Sequence, residues 1–461
     1  MTKGIFLHTF GCQMNVRDSE IVLGMLGEKG FSQVQNPEEA DVILINTCSV
    51  RAHAEDKAVS LMGRFQKIKE RRPNLLLGMI GCQAKAQGEA LFDHLPCLDL
   101  ILGPANIYDL PVVLDRALSG EPRILAIDKP MRPEDGKVEL FRAGRIKAFV
   151  SIMEGCNHAC SYCIVPTTRG RERSRKSSEI LDEVRRLFER QYREVMLLGQ
   201  NVNSYGKGLE EAIDFPGLLY DLDNFARAQG PSAERFRIRF TTSHPLDASE
   251  RMFEAMRDCP TVCEFLHLPV QSGSSRILRA MLRGYTREHY LERLAKLRDI
   301  APKVVLSTDI IIGFPGETEE DFEKTVSLMR EVAYDHAFIF KFSPRPGTRA
   351  AQLGDDVPRA VQEERLQRLL ALQDEISLKK HAALVGTTQE VLVEEPASGE
   401  KLARHLGQTG PFCLKGRTRT QKLVVFISEQ SSIGEFVPVR IEKVTPHTLL
   451  GTAQVLESCS A

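Results

Sequence analysis

The stretch SIMEGCNHACSYCIVPTTRGRERSR carries Cys156, Cys160 and Cys163 in one C-x3-C-x2-C run, directly after the apolar segment IKAFVSIM. A short apolar run bounded by polar residues predicts a strand. Three thiols are thereby forced into the loop at its end. Three close thiolates can hold three irons of a cubic four-iron, four-sulfur cluster, which leaves the fourth iron open to a small molecule. A zinc site usually closes with four ligands, commonly as two cysteine pairs, and no second C-x2-C lies nearby. The run therefore reads as an iron–sulfur site with an exchangeable position, ahead of a zinc knuckle or a group of structural thiols.

A chain of 461 residues with 42% hydrophobic content has room for roughly three domains with real cores. The net charge of −1 excludes a global basic field as the route to nucleic acid and leaves only local patches. No apolar run approaches the roughly 20 residues that span a bilayer. The start, MTKGIFLHTFGCQ, is too short in apolar residues for a signal peptide. These features predict a cytoplasmic protein without membrane contact, in which thiols stay reduced. Its eleven cysteines are then metal ligands or catalytic groups before they are disulfides.

The expected fold class is α/β in three parts. Residues 4 to 118 alternate short apolar runs (GIFLHTF, DVILINT, LLLGMIG, LDLILG) with polar helical patterns, which predicts a doubly wound parallel sheet. The segment 120–141 mixes Pro, Gly and charge and reads as a linker. From about 145 to 343, six strand candidates alternate with amphipathic helices: IKAFVSIM, REVMLLG, RFRIRFTTS, EFLHLPV, KVVLSTDIIIG and HAFIFKFS. Six βα units are too few for a closed eight-stranded barrel and fit an open, partial (β/α)6 barrel. A long charged helix follows. After Gly386 the pattern turns to period two in QEVLVEE, LKGRTRTQKLVVFIS and EFVPVRIEKVTPHTLLGTAQVL, which predicts a small β-barrel of about 70 residues. The expected domains are 3–120, 142–375 and 378–456.

A second cysteine set is scattered in sequence. Cys12 follows GIFLHTFG, Cys48 follows DVILINT and Cys82 follows LLLGMIG. Each lies just past the carboxyl end of an expected parallel strand, and in an open α/β sheet those ends converge on one crevice. One buried cysteine at a strand end is ordinary. Three of them, with Gly before two and Asn46 shortly before the third, predict a second cluster with one open iron. Cys259 and Cys263 have metal-pair spacing but no further ligands, so they read as structural, as do Cys97, Cys413 and Cys459.

GCQMNVRDSE, NTCSVRAHAEDK, GCQAK, EGCNHACSYCIVPTTRGRERSR, LLGQNVNSYG, TSHP, LHLPVQSGSSRILRAMLRGYTREHY and IIIGFPGETEEDF together resemble the methylthiotransferase family of radical S-adenosylmethionine (SAM) enzymes. The resemblance runs from residue 3 to about 455. It is closest to the branch that acts on N6-(dimethylallyl)adenosine next to the tRNA anticodon. It implies an auxiliary-cluster domain, a radical SAM core and a C-terminal TRAM domain, in that order. Cys156, Cys160 and Cys163 would bind the SAM-cleaving 4Fe–4S cluster, whose open iron chelates SAM. Cys12, Cys48 and Cys82 would bind an auxiliary 4Fe–4S cluster that handles the inserted sulfur. Gly199 and Gln200, Gln271, Arg283 and Gly313 fall where the family approaches SAM. Each glycine also has a plain reading as a strand-ending turn.

The same resemblance implies the reaction. Carbon 2 of adenine is neither acidic nor electrophilic, so its hydrogen calls for a radical. SAM cleavage supplies it, auxiliary-cluster sulfur bonds to the carbon, and a second SAM methylates that sulfur; cofactors carry this chemistry. The implied partners are tRNA, an electron donor such as flavodoxin or ferredoxin and a sulfur donor, and the chain is expected to act as a monomer. RNA contact is expected from local basic surface: Lys401, Arg404, Lys415, Arg417, Arg419 and Lys422 in the barrel, or Arg169, Arg171, Arg173, Arg175 and Lys176 after the first cluster motif. Either set also reads as a solvated face. The nearest rivals are the sister methylthiotransferases for threonylcarbamoyl-adenosine or a ribosomal-protein aspartate. The runs Gly11-Cys12-Gln13-Met14-Asn15 and Cys48-Ser49-Val50-Arg51 favour the dimethylallyl branch. A two-cluster electron carrier would need neither a SAM pocket nor an RNA-binding barrel, and a zinc-stabilised RNA module would carry zinc in place of iron and sulfide.

Overall fold

The computed structural model describes residues 3–454 except 50–51, 130–139, 143, 355 and 399–409; inside helices, the side chains of 52–54 and 232–234 are also outside the described set. Val50, Arg51, Lys401, Arg404 and Cys459, singled out above, lie outside it.

The first domain is a six-stranded parallel sheet in the order β2-β1-β3-β4-β5-β6. The strands are β1 Lys3–Thr9, β2 Phe31–Gln33, β3 Val42–Thr47, β4 Leu76–Gly81, β5 Leu100–Leu102 and β6 Ile124–Ala126. Along a strand, successive side chains point to opposite faces. Val42 and Leu44 of β3 accordingly face the helices Gln13–Glu28 and Leu110–Leu118, while Ile43 and Ile45 face the helix Ala52–Arg71. Both faces are covered, so the strands read as continuous apolar runs. Four strands were legible in the sequence. Two more, β2 and β6, are three residues long and carry almost no pattern. Because β6 pairs with β5, the expected linker begins later than residue 120.

The central domain has six parallel strands in two groups. β7 Lys147–Ser151, β10 Glu194–Leu198 and β11 Arg237–Thr241 form one sheet, and β12 Phe265–His267, β13 Val305–Ile312 and β14 His336–Lys341 form the other. A single bridge, Ile238 to Val262, joins them across the β11–β12 seam. The result is the open half-barrel expected from six βα units. A small antiparallel pair, β8 Met153–Glu154 with β9 Arg173–Ser174, closes the base of the cysteine loop.

The last domain is a closed barrel of β15 Thr388–Pro396, β16 Phe412–Thr418, β17 Leu423–Ser428, β19 Leu449–Ala453 and β18 Phe436–Val444, in that circular order. The sequence pattern ran β16 into β17 and β18 into β19. Tight turns divide them: Thr418 Oγ1 accepts the Lys422 N–H at 3.1 Å, and Thr445 Oγ1 accepts the Thr448 N–H at 3.0 Å. Among the described residues, no helix is long and apolar enough to cross a membrane.

Buried charge joins the first two domains. Glu183 accepts Arg17 Nη2 at 2.7 Å, Arg142 Nη2 at 2.6 Å and Arg175 Nη1 at 2.9 Å. Burial alone would raise its pKa, but Arg17, Arg175 and Arg142 outweigh it and hold it at about 2. A carboxylate with a depressed folded-state pKa stabilises above its ordinary value of 4.5 and loses that contribution as the pH falls toward about 2. Glu183→Ala leaves three buried guanidiniums without their shared partner. It is expected to cost about 3–5 kcal/mol, read as a lowered denaturant midpoint at pH 7. The gap from the parent should narrow below pH 4.5.

Candidate active site and cluster crevices

The order of the first sheet reverses between β1 and β3, and ligands in such sheets bind outside the carboxyl ends at that switch point. Cys12 leaves β1 and Cys48 leaves β3, so they flank it. Cys82 leaves the next strand, β4. The backbone there is shaped for close approach. Gly11 sits at φ +124°, and a Cβ on it would run into Cys48 Cβ; Gly81 sits at φ +97°, and a Cβ there would run into Asn46 Oδ1. Asn46 pins the crevice by donating Nδ2 to Asn15 O at 2.8 Å and to Ser19 Oγ at 2.9 Å. Cys12 caps the helix Gln13–Glu28. A hydrogen bond with the Cys48 thiol draws its pKa down to about 6, against burial and with help from Arg169 and the helix N–H groups. Burial pushes Cys82 up, opposed by Arg169.

The loop after β8 holds the other set. Cys156 N–H donates to Gly170 O at 3.1 Å and Cys163 N–H to Cys160 O at 3.1 Å. Burial pushes the Cys163 thiol up to about 12, with Cys160 and Cys156 adding to it, and burial pushes Cys156 up to about 11, with Glu172 and Cys160 adding to it. Cys156 and Cys163, kept from ionising by burial, form with the neighbouring Cys160 a donor set suited to a cationic centre. A single tetrahedral zinc would draw its sulfurs to within about 4 Å of one another, given Zn–S of roughly 2.3 Å. Neither cysteine set converges within 4.8 Å; among the described residues only His158, His244 and Asp247 do. Both donor sets therefore fit an iron–sulfur cluster better than a single ion.

The His158 trio braces the first loop and does not resemble an ion site. Asp247 Oδ2 bonds His158 Nε2 at 2.6 Å and accepts Asn201 Nδ2 at 2.7 Å, while Oδ1 takes the Lys207 ammonium at 2.8 Å. The His158 ring stacks on His244 at 3.7 Å. Burial, and then the charge of Arg283, drive His244 down to about 2, so its ring is neutral.

One cavity of about 1080 Å³ connects the three domains. Cys12 and Cys163 both line it, as do His267, Phe338 and Phe340 from the half-barrel and Arg417, Gln421 and Lys422 from the last barrel. Of the residues expected near SAM, Gln271 lines the cavity at φ +73°, and its Oε1 is buried without a hydrogen bond. Arg283 lies behind the wall, with Nη1 3.3 Å from Cys160 Sγ and Nη2 donating to Pro269 O at 2.8 Å. Gln200 turns its Oε1 to the Gly155 N–H at 2.5 Å, and Gly199 packs against Met153. Gly313 donates its N–H to Glu317 Oε2 at 2.7 Å and touches Gln362, a lining residue.

The basic surfaces differ from expectation. Arg169 and Arg175 are buried in ion pairs with Asp18 and Glu183, so they cannot serve as solvent-facing RNA contacts. Arg419 is held by Glu264 at 2.8 Å and by Val262 O at 2.8 Å, and Lys422 by Asp335 at 2.8 Å; both dock the last barrel onto the core. Arg171 and Lys176 remain exposed and Arg173 partly so, and Arg417 remains at the cavity. Sequence reading missed His158, Asp247, His267 and Phe338. His158, inside the cysteine motif, and His267, inside the LHLPV run, carried a local signal.

Residues 150–329 match the family described as Radical SAM superfamily, residues 4–103 the Uncharacterized protein family UPF0004 and residues 382–453 the TRAM domain. A curated tRNA-2-methylthio-N(6)-dimethylallyladenosine synthase of Thermoanaerobacter sp. (strain X514) is 44% identical over 97% of this chain and 93% of its own. Its namesake in Aquifex aeolicus (strain VF5) is 43% identical over 98% of both chains. The chain belongs to this family of radical SAM methylthiotransferases. A solved radical SAM methyltransferase, TsrM of Kitasatospora setae, shares the fold at a TM-score of 0.56, with 13% identity over 85% of this chain and 77% of that one. Membership makes this methylthiotransferase an enzyme that modifies tRNA and brings with it a 4Fe–4S cluster and SAM. Within it, Asp247→Ala would free His158, Asn201 and Lys207 at once. Removal of such outer partners costs about 10–100-fold in metal retention, so iron loss to a chelator is expected to accelerate by about that factor.

Proposed function

We propose that this chain converts N6-(dimethylallyl)adenosine next to the anticodon of tRNA to its 2-methylthio derivative. The observation that carries this reading is the single cavity shared by Cys12 of one cysteine set and Cys163 of the other. A base in that space lies between the two. Cys156, Cys160 and Cys163 would hold the SAM-binding cluster, and Cys12, Cys48 and Cys82 a second one. When bound, these clusters and SAM supply the radical chemistry, the sulfur and the methyl group.

The chain's own residues bind and orient. Phe338 and Phe340 are exposed on one face of β14 although apolar, and His267 meets Phe338 edge to face at 5.9 Å. Such rings suit stacking on a splayed, unpaired base. Gln271 is the side chain best placed to bond SAM, because its buried oxygen has no other partner. Arg283 acts behind it, holding Cys160 and the Pro269 carbonyl; Gly199, Gln200 and Gly313 shape the backbone around the same ligand. Arg417 and the exposed Arg359, at the cavity, suit the phosphates on either side of the base. Reduction would come from a flavodoxin or ferredoxin and sulfur from a separate donor, with the enzyme acting as a monomer.

Three measurements test the reading. After anaerobic reconstitution the chain should hold about eight irons, and the triple change of Cys156, Cys160 and Cys163 to Ala about four. The change of Cys12, Cys48 and Cys82 to Ala should spare SAM cleavage and abolish the methylthio product. Mass spectrometry of tRNA nucleosides from a deletion strain should show unmethylthiolated dimethylallyladenosine, restored by this chain. A triple variant with its full iron load, or a deletion strain with unchanged nucleosides, rejects the proposal.

A further inference from the structure

The helix Val165–Thr168 ends on Arg169, whose N–H bonds Val165 O at 2.8 Å. From there the backbone turns back to the first cysteine set. Gly170 O takes the Cys156 N–H at 3.1 Å, and a Cβ on Gly155 would run into Arg171 O. The Arg169 side chain goes the other way, into the first domain. It is 2% exposed. Its Nη2 donates to Asp18 Oδ2 at 2.5 Å, and its Nη1 lies 3.6 Å from Glu154 Oε1 without a hydrogen bond. Asp18 lies on the helix that Cys12 caps, so the guanidinium stands at the rim of the crevice of the other cysteine set. The helix Cys82–Gln87 packs on Val165–Thr168, so this approach is built into the domain contact.

A buried guanidinium with an unmet donor is costly unless something accepts it. Apart from Glu154, the groups gathered at that rim are the thiols at the starts of the helices Gln13–Glu28 and Cys82–Gln87. Donors and positive charge beside an iron–sulfur cluster favour its reduced, more negative state. Resting on the second cluster proposed above, we infer that Arg169 is a positioning residue for it. Nη1 donates into the sulfur shell held by Cys12, Cys48 and Cys82 and raises that cluster's reduction potential, while the same short segment fixes Cys156 of the first set. Asp18 moderates the effect by compensating part of the charge.

The test is a redox titration of the full-length, reconstituted chain followed by electron spin resonance, with the first cluster recognised by the change of its signal when SAM is added. In Arg169→Gln the second cluster is expected to move to more negative potential. At fixed applied potential its reduced-to-oxidised ratio should fall at least tenfold, about 59 mV for a one-electron couple. Arg169→Lys, which keeps charge and a donor, should fall between Gln and the parent. Asp18→Asn, which keeps Arg169 and removes its countercharge, should shift the potential the opposite way. An unchanged potential in Arg169→Gln, or shifts of one sign in Arg169→Gln and Asp18→Asn, overturns the inference. If Arg169→Gln does not fold, Asp18→Asn decides alone: a positive shift supports the inference, and no shift or a negative one overturns it. An unsubstituted chain with one signal and about four irons instead rejects the second cluster itself.

Discussion

Glu183 gathers one guanidinium from the first helix, one from the connecting segment and one from its own domain. A buried carboxylate shared in this way tolerates little displacement, because moving any partner strands a charge away from water. Arg17, Arg142, Arg169 and Arg175 meet Asp18, Glu20, Glu154 and Glu183 along this seam, so it is close to balanced in charge. Hydrophobic contact would hold the domains together with latitude in angle. Directional ion pairs set the angle, and the angle sets how far the Cys12 crevice stands from the Cys163 loop.

The last barrel is fixed by the same means on the opposite side. Arg237 and Arg239 share a face of β11 with Thr241, a cavity-lining residue, and reach into the turn of the β16–β17 hairpin. Arg237 Nη1 donates to Arg417 O at 2.9 Å and Arg239 Nη2 to Thr418 O at 2.7 Å. The hairpin thus forms part of the cavity wall. Two of its basic residues, Arg419 and Lys422, are committed to this docking, which makes the hairpin a part of the pocket as well as of the barrel.

The strand and helix order, the open half-barrel and both cysteine sets were legible in the sequence because each rests on a local pattern: apolar periodicity, or a thiol just past a strand. Short β2 and β6 were not, since three residues hold no period. Nor was the fate of Arg169, Arg175, Arg419 and Lys422. A basic run reads the same whether it faces solvent or a carboxylate as much as 155 residues away, and Asp18, Glu264 and Asp335 give no sign of their partners. The aromatic face of β14 was hidden for a related reason. His336, Phe338 and Phe340 alternate as in any half-buried strand, and only the open barrel edge leaves that face uncovered.

The seam also has a consequence for biosynthesis. The first domain leaves the ribosome before the residues that neutralise it exist. Arg17 and Asp18 must wait in water until Arg169, Arg175 and Glu183 have been made, more than 140 residues later. Until then the crevice of Cys12, Cys48 and Cys82 stands open on the side that Arg169 later closes. The nascent chain therefore passes through a stage in which these three thiols can be met from the side that the central domain later covers; after docking, the way in is the shared cavity, where Cys12 lies.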